Sequence, residues 1–463
     1  MTIKEALQLF KESLQSEEKS YTTGSINRAI ALLSIPMILE MAMESVFALV
    51  DAFFVSKISP DAMATVGLTE SVITLVYSIA IGLSTAPVAL ISRYIGENDK
   101  AGASKVAMQA IYLAVFGALV TGIPGFIFAE DILRFMGGSD ALIRSGLGYT
   151  RIMFGFNIVI MLLFLLNGIL RGAGDASLAM RTLWLANGIN IILDPLLIYG
   201  IGPFPEMGVE GAAIATTIGR GTGVAFQLYV LFGGKARVRL FIKAWQLDLP
   251  VIGRLLKIAV NGAFQFFIAS ASWIFLMRII AGMGSVAVSG YTIAIRLILF
   301  TLLPAWGMSN AAATLVGQNL GAKQPARAES SVWRTAHFNT IFLLTASVIY
   351  LLFTTPILSL FDKTPEVLEA ATSTLRIFAI GYIFYGYGMI LAQAFNGAGD
   401  TATPTIVNFV CFWLMEIPLG YLFALRLDWG LPGVCWAVVI SETMLSVIIM
   451  VLFRRGRWKT MEV

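Results

Sequence analysis

Apolar stretches of about 18 or more residues recur along this chain, and each can cross the roughly 30 Å hydrocarbon core of a bilayer as a helix. The composition agrees, because 57% of the 463 residues are hydrophobic and only 13% are charged, whereas soluble proteins have about 25% charged residues. Every backbone polar group in lipid must be hydrogen-bonded within its own segment. The sequence therefore predicts an all-α membrane protein.

Twelve transmembrane helices are predicted in two six-helix bundles. The spans cover approximately residues 28–56, 62–93, 103–129, 144–171, 176–201, 208–233, 250–281, 285–318, 326–353, 366–396, 401–425 and 430–453. The longest polar interruption lies at mid-chain and is interpreted as a linker. The predicted parts are an N-terminal segment (1–27), a first bundle (28–233), a linker (234–249), a second bundle (250–453) and a tail (454–463).

The distribution of lysine and arginine predicts the orientation. The side of the membrane that holds the termini carries 22 of these residues, and the opposite side carries seven. Because cytoplasmic loops are enriched in basic residues, we expect both termini in the cytoplasm and the chain in the cytoplasmic (inner) membrane. The same bias accounts for the net charge of +4 and does not indicate nucleic-acid binding. We expect a monomer surrounded by lipid.

The two halves of the chain repeat each other. The matching motifs are RGAGD (171–175) with NGAGD (396–400), IGENDKAGA with VGQNLGAKQ at an offset of 221, and MGVEGAA with WGLPGVC at an offset of 222. A glycine with positive φ and a helix-capping aspartate account for GAGD. A repeat of six helices keeps its orientation, so the halves are predicted to be related by a pseudo-two-fold axis along the membrane normal, as in some secondary transporters.

Three acids mark the first predicted span. Glu40, Glu44 and Asp51 lie within about 40° of one another around a helix. An aspartate at mid-membrane costs about 2.5–3.5 kcal/mol, so Asp51 is expected to face the protein interior or water. Alternatively, Glu40 and Glu44 touch water near the cytoplasm, and Lys57 neutralises Asp51.

A second polar face is predicted in span five. Asn187, Asn190 and Asp194 share this face, and Pro195 frees a backbone carbonyl. Carboxylate, amide and carbonyl oxygens suit a small hard cation such as Na⁺. The same acids could hold a proton, since neighbouring carboxylates do not both ionise easily. Alternatively, Asp194 caps a kink and Asn190 bonds a neighbouring helix.

The second half lacks counterparts of these acids. The positions opposite Asp51 and Asp194 are predicted at about Ile274 and Ile417, and ion coupling is therefore assigned to the first half. Glu416 and Glu442 remain without a predicted role. Other charged and polar candidates for substrate or proton binding are Glu40, Glu44, Asn187 and Arg296, although Arg296 could instead snorkel to the interface.

Enzymatic chemistry is disfavoured by the motifs present. No Walker, HExxH or GxSxG motif occurs, and His337 is the single histidine. Cys411 and Cys435 lack the spacing of a zinc site. We therefore expect no enzyme and no cofactor other than a coupling ion.

Four motifs together resemble the multidrug and toxic compound extrusion (MATE) family of transporters. They are VDAFFVSKISPDAMATVG in span one, the GAGD turn, NIILDP in span five and GAAIAT in span six. The resemblance implies a V-shaped cavity between two bundles and export of organic cations and other drugs in exchange for Na⁺ or H⁺. It assigns ion coupling, and a Na⁺ site, to Asp51, Asn190, Asp194 and Thr216. Where another branch has an acid in span seven, this chain has Ala269.

A lipid or lipid-linked oligosaccharide flippase of the same superfamily is the main alternative. Such flippases need a strongly cationic cavity, and the spans here hold Arg220, Arg278 and Arg296 against several acids. This balance favours cationic substrates. A channel remains a further alternative, although the repeat with an asymmetric acid site suits alternating access better.

Overall fold

The computed structural model describes residues 3–15, 19–241 and 246–461. Parts of the predicted N-terminal segment, linker and tail lie outside these ranges, namely residues 1–2, 16–18, 242–245 and 462–463. The described residues fold into helices joined by short turns, without a strand. This agrees with the all-α fold predicted from the apolar stretches.

The first half contains a short amphipathic helix followed by the helices of six spans. These are α1 (Ile3–Ser13), α2 (Ile26–Ser56), α3 (Pro60–Gly96), α4 (Lys100–Ile127), α5 (Ala129–Phe135), α6 (Asp140–Gly155), α7 (Asn157–Ala173), α8 (Ala176–Ile198) and α9 (Gly208–Phe232). Helices α6 and α7 meet at a bend of 41° and together form one broken span.

The second half repeats this plan. Its helices are α10 (Leu249–Ala281), α11 (Ser285–Gly321), α12 (Pro325–Leu352), α13 (Thr354–Leu358), α14 (Pro365–Ala398), α15 (Ala402–Asn408), α16 (Ile417–Tyr421) and α17 (Gly430–Arg454). The span from Ala402 to Arg426 includes two π-helical segments, Phe409–Glu416 and Leu422–Arg426.

The predicted count of spans fits these helices. Among the described residues, ten helices are long and apolar enough to cross a membrane, and the bent pair α6–α7 makes an eleventh. Helix α9 has 25 residues, which is about 37 Å of α-helix, and so reaches across a bilayer as well.

Backbone geometry shows the internal repeat directly. Gly174 and Gly399, which end α7 and α14, both have φ of 88°. Asn98 and Lys323 have φ of 60° and 57°, in a left-handed region that few non-glycine residues adopt. The two pairs have the same separation along the chain. The halves therefore share their turns as well as their helices.

This geometry corrects two of the predicted registers. The offset of 221 after span two is wrong by one helical turn, because Asn98 pairs with Lys323 at the same offset as the GAGD turns. Ile274 is 67% exposed, so it cannot face the interior as a counterpart of Asp51.

Helix contacts correct the register of span eleven. A methyl group on Gly211 would lie 2.6 Å from the carbonyl oxygen of Leu197, and one on Gly433 would lie 2.9 Å from that of Phe423. Leu197 and Phe423 are therefore equivalent positions, and the same offset puts Asp194 opposite Gly420 and not Ile417. The π-helical turns explain the difference, because they add residues to a helix without interrupting it.

The two halves pack closely at the end that carries both termini. A methyl group on Gly96 would lie 2.1 Å from the carbonyl oxygen of Gln318, and one on Gly321 would lie 2.1 Å from that of Arg93. Arg93 Nη2 also donates a hydrogen bond of 2.7 Å to the carbonyl oxygen of Met461 in the tail. Helices α3 and α11 thus close this end of the molecule.

The linker is fastened to the first half at both of its described ends. Near its start, the backbone N–H of Arg237 donates to Asp175 Oδ2 at 2.7 Å. Asp175 therefore holds the linker and does not cap α8, contrary to its predicted role. The aspartate of the second GAGD turn does act as predicted, since Asp400 Oδ1 accepts a hydrogen bond of 3.2 Å from the backbone N–H of Thr403. Near the end of the linker, Gln109 of α4 bonds the backbone of Gln246 and Asp248, at 2.9 and 3.1 Å.

Candidate functional site

A cavity of about 310 Å³ lies within the first half. Acidic side chains from two helices line it, Glu44 and Asp51 from α2 and Glu70 from α3, together with Thr216 and Arg220 from α9. Within the described residues, Asp51 and Glu70 form no side-chain ion pair. The cavity therefore brings three acids together with one arginine inside the membrane-spanning region.

Helices α8 and α9 place three predicted residues beside this cavity. Asn190 Nδ2 donates to Asp194 Oδ1 at 3.3 Å and to Thr216 Oγ1 at 3.1 Å. Asn190 and Asp194 are 1% and 0% exposed, yet Asn190 Oδ1 and Asp194 Oδ2 have no hydrogen-bond partner among the described residues. Asp51 also acts electrostatically on Asp194. The structure thus brings together Asp51, Asn190, Asp194 and Thr216.

These oxygens are the ligands that a small cation requires. Carboxylate, amide and hydroxyl oxygens are hard ligands that suit Na⁺, and either carboxylate could hold a proton instead. Buried polar atoms without partners are costly in a low dielectric. A bound cation at Asp51, Asn190, Asp194 and Thr216 would satisfy the two orphaned oxygens.

Arg220 is the internal cation of this site, and no role was predicted for it. Its side chain is 6% exposed and lies 3.6 Å from Glu44 Oε1. Its Nη1 donates to Tyr77 Oη at 2.9 Å, and the guanidinium lies 5.4 Å from the Phe47 ring centre. Arg220 therefore forms an ion pair with Glu44 and leaves Asp51 and Glu70 without one, so these two acids can bind an ion.

Glu44 connects this site to a central cavity between the halves. Asn187 Nδ2 donates to Glu44 Oε2 at 2.9 Å, so two of the predicted residues meet here. Glu44 and Tyr77 line the first-half cavity and also the central one, which has a volume of about 250 Å³. A change of charge at the acids can thus reach the wall of the central cavity through Glu44.

Glu40 has a different environment from the one predicted. It is 0% exposed, forms an ion pair with Arg171 of α7, and accepts a hydrogen bond of 3.1 Å from Asn167 Nδ2. This burial does not support the alternative in which Glu40 touches water. Arg171 and Asn167 line the central cavity, and Glu40 lies behind them.

Arg296 is separated from the other predicted residues. Its side chain is exposed on α11, and it lines none of the four cavities described in this structure. The exposure agrees with the alternative of a snorkelling side chain. Its substrate role therefore stays a prediction without support from its position.

Two residues of the site, Glu70 and Arg220, were missed by sequence reasoning. Both are charges inside predicted spans, and that alone marks a functional candidate in a membrane. The partners of Arg220 lie on other helices, far away in sequence, so no local spacing could reveal them. The recognisable signal was the charge itself.

Comparison with known proteins agrees with the repeat and with the fold. The MatE family model matches residues 36–196 and 262–422, two segments of equal length, one in each half. The probable multidrug resistance protein NorM of Thermotoga maritima is 26% identical over 97% of this chain and 96% of its own length. A FAD transporter of Shewanella oneidensis is 27% identical over 94% of this chain and 95% of its own.

Solved structures show the same architecture. One described as the outward-facing conformation of a multidrug resistance MATE family transporter superimposes with a TM-score of 0.89 and 25% identity. The alignment covers 96% of this chain and all of the other. The two family matches together span more than half of the chain. The chain therefore belongs to the MatE family of multi-pass membrane transporters.

Proposed function

We propose that this protein is a secondary active antiporter that exports organic cations, drugs and similar amphiphiles in exchange for Na⁺ or H⁺ by alternating access. The observation that carries the proposal is the buried acid site of the first half. Asp51 lines the cavity there, and Asp194 is linked to the cavity-lining Thr216 through Asn190, beside two orphaned oxygens and without a pairing arginine or lysine among the described residues. Relatives named as multidrug resistance proteins support drug export.

The coupling follows from the arrangement of charges. Binding of a cation at Asp51 and Asp194 neutralises the acids near Arg220 and leaves Glu44 as the main partner of the guanidinium. Glu44 also faces the central cavity, where it would attract a cationic substrate. Ion binding at Asp51 and Asp194 thus reduces the negative charge that Glu44 offers to a substrate, because Arg220 then pairs mainly with Glu44. This opposition between ion and substrate is the requirement for exchange.

The charge of the cavities supports cationic over anionic substrates. The arginines that line them are Arg171 and Arg220, and they form ion pairs with Glu40 and Glu44. A flippase for pyrophosphate-linked lipids, or a carrier of an anion such as FAD, would need free cations at these positions. FAD is a useful test substrate, because one relative bears the name FAD transporter.

We also propose that the end bearing the termini faces the cytoplasm of the inner membrane and that the monomer is the transporting unit. Lysine and arginine concentrate at this end. Each chain contains a complete first-half site and central cavity. Labelling of single cysteines at the two ends in intact cells tests the orientation, and mass measurement in nanodiscs tests the monomer.

The deciding experiment is efflux from proteoliposomes. Export of a fluorescent organic cation is followed under a Na⁺ gradient alone or a pH gradient alone, with FAD as the anionic comparison. Asp51→Asn should abolish gradient-driven export, whereas Asp131→Asn, which changes an exposed aspartate on α5, should not. Export that survives Asp51→Asn, or transport of FAD in place of the cation, would overturn the proposal.

A further inference from the structure

The second half contains a cavity of about 320 Å³ with an aromatic wall. Its aromatic lining residues are Phe266, Trp273, Trp306, Phe378, Tyr385 and Phe412. Glu442 of α17 is the single charged side chain among the residues that line it. A carboxylate surrounded by aromatic rings is the chemistry that recognises an organic cation, since the ring faces attract positive charge.

The internal repeat places this acid at a meaningful position. The equivalence of Gly211 and Gly433 puts Glu442 opposite Arg220. The equivalence of Leu197 and Phe423 puts Glu416 opposite Asn190. The two positions that hold a cation and an amide at the first-half site thus hold two acids in the second half.

The acids of the second half lack an internal counter-ion. Glu416 is 2% exposed, and its Oε1 has no partner among the described residues. Tyr385 lines the cavity, is 6% exposed, and its Oη is also unpartnered among those residues. Glu416 and Tyr385 both lie within electrostatic reach of Glu442. No described lysine or arginine pairs with either glutamate.

The cavity adjoins the central one. Phe266, Trp306 and Gln393 line both, and the rings of Phe266 and Trp306 are stacked with centres 6.3 Å apart. The two cavities therefore share a wall, and Glu442 lines the one on the side of the second half. The first-half acid site joins the same central space through Glu44.

We propose that the second half holds its own binding site for lipophilic organic cations, in which Glu442 pairs with the positive charge, the rings of Trp306 and Tyr385 enclose it, and Glu416 adds negative potential from behind. This site rests on the proposed function, since it adds a substrate site to a cation exporter. It leaves ion coupling at Asp51. Its chemical class of ligand is a bulky aromatic or quaternary cation, not a small inorganic ion.

Binding of tetraphenylphosphonium to the purified protein in nanodiscs tests the site by calorimetry. Glu442→Gln should weaken binding tenfold or more, Glu416→Gln should weaken it less, and Glu442→Asp should restore most of the affinity. Glu366→Gln, which changes an exposed acid at the start of α14, is the matched control. Triphenylphosphine oxide, a neutral molecule of similar shape, should bind Glu442→Gln and wild type equally.

Two outcomes would overturn the inference. One is an unchanged affinity for tetraphenylphosphonium in Glu442→Gln. The other is an equal loss of affinity for the cation and the neutral molecule, which would show that Glu442 only maintains packing. Gradient-driven export by wild type is measured separately, so either outcome in a protein that exports refutes this site alone. A chain that binds at Glu442 but does not export refutes only the antiport proposal.

Discussion

The guanidinium of Arg171 on α7 forms an ion pair with Glu40 of α2, whose side chain is 0% exposed. The backbone carbonyl of the same arginine accepts a hydrogen bond of 3.0 Å from Thr314 Oγ1 of α11. Arg171 thus joins two helices of the first half at a place where the second half packs against them. The buried ion pair holds α2 and α7 together, and its arginine also forms part of the wall of the central cavity.

Glu40→Gln should destabilise the protein by about 3–5 kcal/mol, because it leaves the buried charge of Arg171 without a counter-ion. The free energy of unfolding is measured by reversible denaturation in mixed micelles. Glu12→Gln is the control, since Glu12 pairs with an exposed Arg28 at 2.5 Å. An exposed pair is worth about 0–1 kcal/mol, so similar losses in the two variants would contradict the structural role of Glu40.

Arg220→Gln should reduce export of organic cations more than Arg220→Lys. Lysine keeps the charge near Glu44 but loses the fork that bonds Tyr77, and a charge-assisted hydrogen bond is worth about 1.5–3 kcal/mol. We expect about a tenfold loss or more for lysine, and a larger one for glutamine, in proteoliposome efflux. Arg278→Gln changes an exposed arginine in the last turn of α10 and should have little effect. Equal rates for all three variants would exclude Arg220 from the mechanism.

Gly96→Ala should push the halves apart at the end that carries the termini. Its methyl group would lie 2.1 Å from the carbonyl oxygen of Gln318, and overpacking of this kind costs about 1–3 kcal/mol. Spin labels at Glu97→Cys and Ala326→Cys report the separation, because both native cysteines are buried. Gly253→Ala is the control, since nothing lies within 4 Å of its added methyl group. An unchanged label distance in Gly96→Ala would show that this contact does not hold the end closed.

Asp248 should make the stability of the linker region depend on pH. The ion-pair hydrogen bond from Lys105, and a further one from the backbone of Val251, lower the pKa of Asp248 below its usual value. A lowered pKa in the folded state means that the stabilisation is present above the unfolded pKa of about 3.9 and is lost as the pH falls below it. Asp248→Asn keeps a helix cap but should lose this dependence. The measurement is hydrogen exchange at the start of α10 between about pH 3 and 6, in wild type and in Asp248→Asn. The same dependence on pH in both proteins would contradict the prediction.

The sequence was sufficient to predict the helical class and the pairing of span one with span five. Charges are rare in apolar spans, so Asp51 and Asp194 can be recognised as candidates from the sequence. Helical periodicity then places Asn190 on the same face as Asp194. The hydrogen bond from Asn187 of span five to Glu44 of span one is consistent with that prediction. What periodicity could not supply is the rotation of each helix about its axis, which is why contact of Glu40 with water stayed open as an alternative.

The registers of the repeat were wrong where short motifs were compared by letters alone. The similarity of IGEN and VGQN hid a shift of one helical turn, which only the left-handed turns at Asn98 and Lys323 reveal. π-helical turns in span eleven shifted Glu416 into the position equivalent to Asn190. Such turns leave no clear composition signal, so a second acid site could not be assigned from sequence.

The anchoring of the linker determines where the protein can bend. Arg237 is held by Asp175, and Gln246 and Asp248 are held by α4, so both described ends of the linker are fixed to the first half. The start of α10 is fixed there too, because a methyl group on Gly82 of α3 would lie 2.3 Å from the carbonyl oxygen of Ala259. A rigid rotation of the second half therefore has to bend the chain beyond Ala259. The segment that joins the halves extends one of the two moving bodies and does not act as a loose tether between them.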